Sequence, residues 1–216
     1  MNNMIARLAR PLLAAGILLL AARGAAAIDL TEGEQYTLLK PAQPTDVAPG
    51  KVQVVEVFWY ACSHCYLIEP KSEAWNKKGR PAYVEFVQVP ATWNEMLKTH
   101  ARVFYTAELL GKLPQLNGEI FREINVKGDR MDTSEKIEAF FVSHGVPRAD
   151  FQRAFSSFAV ESKIRQAEEL NRRYRITGTP TWVVAGKYVT DVKMAGSEDA
   201  VFQVLNALAA KDKQGH

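Results

Sequence analysis

The sequence predicts an α/β fold in which a central sheet is interrupted by an all-helical insertion. Three observations carry that expectation. A run of β-branched and aromatic residues, Val54 to Tyr60, leads directly into Cys62-Ser63-His64-Cys65. A long block, residues 92–175, has helical periodicity and no convincing strand. Strand patterning then returns between Thr181 and Val189, followed by one more amphipathic helix.

At the amino terminus, Arg7 and Arg10 precede the apolar run Leu12 to Ala22, and Ala25-Ala26-Ala27 offers small residues for cleavage. This is the pattern of a secretory signal peptide over residues 1–27. A membrane anchor fits less well, because the run is shorter than the ~20 residues a span needs. The formal charge of +3 then belongs to the leader, which holds Arg7, Arg10 and Arg23 and no acid. The balanced mature chain gives no reason to expect nucleic acid or an anionic surface as partner. Residues 28–50 read as a polar lead-in with Pro41, Pro44 and Pro49, too short for a dimerisation domain. The mature protein is therefore expected to be a monomer that does not span a membrane.

The run from Val54 to Tyr60 does not alternate, which suits a central strand covered on both faces. Glu56 interrupts it. After Cys62 the spacing becomes helical, with Cys65, Ile68 and Trp75 roughly on one side. Pro70 should kink this helix rather than end it, and Gly79-Arg80-Pro81 should stop it. Strand, turn, Cys-x-x-Cys and helix in succession is a thioredoxin-like arrangement. The thioredoxin-like domain is expected over residues 28–91 and 176–216, around the insertion.

A cysteine at the first turn of a helix faces unpaired N–H groups and the positive end of the helix dipole, both of which favour thiolate. Cys62 is thus the candidate nucleophile, and Cys65, one turn deeper, the resolving thiol. His64 lies between them, where an imidazolium would add positive charge beside the Cys62 sulfur; a solvated loop imidazole is the alternative, and the place between the cysteines favours the first reading. A fall in the Cys62 pKa from ~8.5 to ~5.5 would favour the dithiol by about 2 kcal/mol at neutral pH, making the pair ~45 mV more oxidising. The chain has 2 cysteines, and a loop this small adds little stability, so the pair serves chemistry. Half of a metal site is the alternative, but zinc wants four ligands and His100, His144 and His216 are isolated. No metal or cofactor is expected.

Further along, Ala82 to Val89 reads as a second strand closed by Pro90. Thr92 with Glu95 makes a capping box for a helix carrying Leu97, His100, Val103, Phe104 and Ala107. His100 falls on its apolar face and reads as core. Pro114 opens a helix through Ile124, Asp132 with Glu135 heads a third that ends at Gly145, Pro147 starts a fourth, and Val160 to Tyr174 is the fifth. Phe140, Phe141, Phe151, Phe155 and Phe158 read as core. Thr181 to Val184 and Lys187 to Val189 flank Ala185-Gly186 as a hairpin, and Ser197 caps the last helix.

Two motifs, Glu56-Val57-Phe58-Trp59-Tyr60-Ala61-Cys62-Ser63-His64-Cys65-Tyr66 and Ile176-Thr177-Gly178-Thr179-Pro180-Thr181 followed by Gly186-Lys187-Tyr188, make the chain resemble the secreted thiol:disulfide interchange proteins of the DsbA family. The resemblance runs through essentially the whole mature chain. It implies a periplasmic oxidant that hands its disulfide to reduced, unfolded exported proteins and is recharged by a quinone-linked membrane oxidase of the DsbB type. It also implies that Pro180 is cis and lies against the cysteine pair, that Thr179 and Pro180 contact substrate, and that Glu56 is a buried acid near Cys65 able to accept its proton. The sequence departs from the family pattern at Ser63, where Pro is commonest, at Ala61, where Gly is frequent, and at Thr179, where some members have Val. A lysine that accompanies the buried acid in some members is not evident in Ala82 to Val89. A reductase or isomerase of the same fold, or a copper- or peptide-binding module built on it, remains the alternative.

Overall fold

A computed structural model describes residues 28–215. The expected leader and His216 lie outside the described residues. Among them, five strands form one sheet: β1 (Thr37–Leu38), β2 (Val52–Phe58), β3 (Val84–Pro90), β4 (Thr181–Val184) and β5 (Tyr188–Thr190), in the order β1-β5-β4-β2-β3. β2 pairs parallel with β3 and antiparallel with β4.

The central place of β2 explains its lack of alternation. Val52 and Val54 pack with Ile68, Trp182, Leu205 and Leu208 in one apolar cluster. Val55 and Val57 belong to a second cluster with Ala101, Phe104, Ile164 and Val183. Both sides of the strand are dry, and Glu56 is carried into that setting at 1 % exposure.

Helix α1 (Ser63–Ala74) starts one turn after β2, passes through Pro70, and is followed by a π-helical turn at Trp75–Gly79. Five helices then separate β3 from β4 with no strand among them: α2 (Glu95–Leu109), α3 (Leu113–Asn125), α4 (Ser134–Ser143), α5 (Arg148–Phe155) and α6 (Phe158–Arg173). After β5 come a short α7 (Val192–Ala195) and α8 (Glu198–Gln214), whose N-cap is Ser197, accepting from Ala200 N–H at 3.1 Å. No described helix is long and apolar enough to cross a membrane.

Several local expectations are corrected. The N-cap of α2 is Asn94, whose Oδ1 accepts from Leu97 N–H at 2.9 Å. Thr92 is buried two residues earlier, its hydroxyl without a hydrogen-bond partner. Likewise α4 is capped by Thr133 rather than Asp132, and α6 begins at Phe158, capped by Ser157. Phe158 is not core but 78 % exposed, lying under the Arg165 guanidinium at 5.4 Å. The lead-in is more than polar linker, because Tyr36 and Leu39 are buried and β1 pairs antiparallel with β5.

The hairpin between β4 and β5 turns at Ala185-Gly186 as expected, with φ of 54° and 63°, the left-handed values a two-residue hairpin turn requires. Gly186 is required for a second reason. Its carbonyl accepts from Gln43 N–H at 2.9 Å, and a Cβ there would lie 2.1 Å from the Gln43 carbonyl oxygen.

Candidate active site

Cys62 is the N-cap of α1, with extended backbone at φ −85° and ψ 115°. β2 ends at Phe58, and Cys62 N–H donates to the Trp59 carbonyl at 3.0 Å, so a short turn delivers the sulfur to the mouth of the helix. As a thiol it donates to the Thr179 carbonyl at 3.3 Å. The sulfur also accepts from Cys65 N–H at 3.4 Å, a contact that favours the anion. Both thiols are free, Cys62 half-buried and Cys65 buried.

The two sulfurs are pushed in opposite directions. Cys62 is lowered to about 5, chiefly because the Cys65 thiol donates to its anion, with the N–H groups of Cys65 and His64 adding to this against the opposing effect of burial. Cys65 is pushed far up, first by burial and then by the Cys62 anion beside it. The pair is thus one stabilised thiolate and one protected thiol.

The loop before β4 comes to this sulfur. The Thr179–Pro180 peptide is cis, Pro180 is buried and Thr179 half-buried, and the Thr181 hydroxyl donates to the Gly178 carbonyl at 2.9 Å. His64 is exposed on the first turn of α1, and its backbone N–H is among the groups that support the Cys62 anion.

Glu56 is buried, but its hydrogen bonds run to other groups than the cysteines. Its Oε2 accepts from the Ser72 hydroxyl at 2.6 Å and from Gln88 Nε2 at 3.3 Å. The same Gln88 amide donates to Glu69 Oε2 at 2.8 Å, and Asn117 Nδ2 donates to Glu69 Oε1 at 2.6 Å. Tyr60 closes the chain, its hydroxyl donating to Asn117 Oδ1 at 2.7 Å. Burial pushes Glu56 up to about 7 despite the bonds from Ser72 and Gln88. Glu69 is pushed up to about 8 by burial and then by the charge of Glu56. Glu69, Gln88 and Asn117 line an open groove of about 490 Å³ between α1, β3 and α3.

Glu69, Gln88, Ser72 and Asn117 escaped the reading of the sequence. One signal was available: pairing β2 with β3 in parallel sets Glu56 against Gln88. Glu69 and Ser72 needed the docking of α1 on the sheet, and Asn117 needed the insertion.

The arrangement fits thiol–disulfide exchange: one sulfur is a good nucleophile and leaving group, and its neighbour is shielded. Comparison with known proteins agrees. Residues 82–209 match the DSBA-like thioredoxin domain. The thiol:disulfide interchange protein DsbA of Pseudomonas syringae pv. tomato is 37 % identical over 213 residues, covering 99 % of this chain and 97 % of the relative. That of Azotobacter vinelandii is 37 % identical, with 86 % of each chain covered. The crystal structure of Pseudomonas aeruginosa DsbA superposes with a TM-score of 0.81 at 33 % identity, covering 86 % of this chain and 96 % of that one. With a relative of that similarity matched along nearly the whole sequence, and a cysteine pair built to exchange, the chain belongs to the DsbA family and is a thiol:disulfide oxidoreductase.

Proposed function

We propose that the protein works as an oxidant, donating the Cys62–Cys65 disulfide to reduced proteins exported to the periplasm. The observation that carries the direction is the unequal pair: an anion stabilised at the start of α1 beside a thiol that burial keeps protonated. A substrate thiolate attacks the Cys62 sulfur, the Cys62–Cys65 bond breaks, and the Cys65 sulfur takes up a proton. A second substrate thiolate then attacks the substrate sulfur of the mixed disulfide, and Cys62 leaves as a thiolate. The substrate has lost two electrons and the enzyme has gained them. Cys65 can instead expel a stalled substrate by attacking the Cys62 sulfur, the substrate leaving as a thiolate, and Glu56 is the acceptor for the Cys65 proton.

In this reading Thr179 and Pro180 form the wall against which an extended substrate lies, and an imidazolium at His64 would favour the Cys62 anion. Residues 1–27 direct export, residues 28–91 and 176–216 are the thioredoxin-like domain, and residues 92–175 are its helical insertion. The working protein is a monomer, recharged by a quinone-linked membrane oxidase of the DsbB type.

The test is the equilibrium of the pair against glutathione, together with the products of Cys65→Ala. A strongly oxidising equilibrium and accumulated mixed disulfides are expected. A potential close to that of thioredoxin would instead support a reductase, and a Cys65→Ala protein free of adducts would reverse the two sulfur roles. His64→Ala should raise the Cys62 pKa; an unchanged thiolate titration removes the imidazole from the mechanism.

A further inference from the structure

Trp59 stands between the end of β2 and Cys62, and its main chain serves both cysteines. Its carbonyl accepts from Cys62 N–H at 3.0 Å, and its backbone N–H supports the Cys65 sulfur. This one residue therefore meets the turn at both cysteines. Its indole is held from outside the thioredoxin-like sheet: Trp59 Nε1–H donates to His100 Nδ1 at 2.9 Å, and the two rings stack at 6.0 Å with 30° between their planes.

His100 is on α2 and only 2 % exposed. Its other nitrogen, Nε2, lies 2.9 Å from the Arg130 carbonyl oxygen, in the segment between α3 and α4. An indole nitrogen can only donate, and a carbonyl oxygen can only accept. One tautomer alone satisfies both contacts, with the proton on Nε2 and Nδ1 bare. Burial holds the imidazole neutral by lowering its pKa, while Asp132 and Arg130, the charged groups that act on it, pull in opposite directions. A buried histidine whose two nitrogens are both committed, one to a carbonyl and one to the residue carrying both cysteine contacts, is more than core filling.

We propose that His100 is a positioning residue for the exchange reaction: anchored by the Arg130 carbonyl, it fixes the Trp59 indole and with it the main chain that presents Cys62 and Cys65. It acts through Trp59 and does not touch either sulfur. When the indole is released, the turn between β2 and α1 relaxes. The Cys62 anion then loses alignment with the N–H groups at the start of α1. The reduced form is stabilised less, and the pair becomes less oxidising.

The inference rests on Cys62 and Cys65 being the reacting pair, and the experiment separates the two claims. Four variants are compared with wild type by ultraviolet titration of the thiolate and by equilibrium with glutathione: His100→Phe, His100→Asn, Trp59→Phe and the double variant with both Phe replacements. His100→Phe keeps a stacked ring and removes the acceptor. His100→Asn places Oδ1 where Nδ1 was. His100→Phe should raise the Cys62 pKa and lower the equilibrium constant for glutathione oxidation about five-fold, the size of one hydrogen bond retained in only one redox state. Trp59→Phe, at a half-buried position, should give the same shift and carries the test should His100→Phe not fold. The double variant should be no worse than either single one, and His100→Asn should recover most of the loss.

A thiolate titration and equilibrium unmoved in Trp59→Phe and His100→Phe, beside an oxidising wild type, would overturn the role of His100 alone. So would additive effects in the double variant, or His100→Asn behaving like His100→Phe. A wild-type protein without a low-pKa thiolate would overturn the Cys62 assignment and this inference together.

Discussion

Cys62 and Cys65 carry the same chemical group three residues apart, yet one is lowered to about 5 and the other pushed far up. The measurable consequence lies in the potential as a function of pH. Reduction takes up two protons below the Cys62 pKa and one above it, so the potential should fall by about 59 mV per pH unit below the break and about 30 mV above it. The break should come near pH 5, and a single straight line through that region would mean that Cys62 is not depressed. Glu56 and Glu69 are perturbed for another reason. One neutral amide, Gln88, donates to both, and burial makes a second charge beside the first expensive. Both carboxyls stand above their ordinary value, at about 7 and about 8. The folded state therefore favours their protonated forms, and the stability this confers is complete below the unfolded pKa and lost as pH rises through those values. Glu56→Gln keeps an acceptor for Ser72 and Gln88 without the charge. It should raise stability to urea by about 3 kcal/mol above pH 8 and leave it unchanged near pH 4. A gain equal at both pH values would show a packing effect instead.

Among the elements, β2 and α1 were legible because their burial is written in composition and spacing: an unbroken apolar run, then Cys65 and Ile68 at helical intervals. The start of α2 was not. Thr92 and Glu95 have capping-box spacing, but the chain enters the core at Thr92 and turns into the helix only at Asn94. A cap motif states which residues could serve and not where the backbone changes direction. The distinction can be weighed by substitution. Asn94→Ala should cost about 1 kcal/mol, the usual worth of a side-chain cap. Thr92→Val removes a buried hydroxyl that has no partner and should be neutral or slightly stabilising. Reversed effects in urea unfolding would return the cap to Thr92. β1 was missed for a different reason: two residues in a proline-bearing lead-in have no period to detect, and they become strand only by pairing with β5.

On the scale of the molecule, the helices between β3 and β4 hold the turn before Cys62 at several points. Asn125 Nδ2 donates to the Tyr60 carbonyl at 2.8 Å, Asn117 accepts from the Tyr60 hydroxyl at 2.7 Å, and His100 holds Trp59. The order of elements and the cysteine pair could be read from the chain. These tethers could not, because each joins residues far apart in sequence whose meeting depends on how the helices dock. The redox pair in turn bears on the stability of the whole fold. In an unfolded chain Cys62 has no helix to favour its anion, so the folded protein gains from being reduced. At neutral pH the gain is at most about 3 kcal/mol, and solvent screening of a half-buried sulfur reduces it. The reduced protein should melt above the oxidised one in calorimetry. The difference should shrink as pH falls through about 5, where the anion is lost; an oxidised form melting higher at neutral pH would contradict this account.

The depth of Cys65, 1 % exposed behind a neighbour that is already ionised, has a practical side. An alkylating reagent in mildly acidic buffer meets a single reactive sulfur on the native protein, so a fluorophore or spin label can be placed at Cys62 alone without first removing the other cysteine.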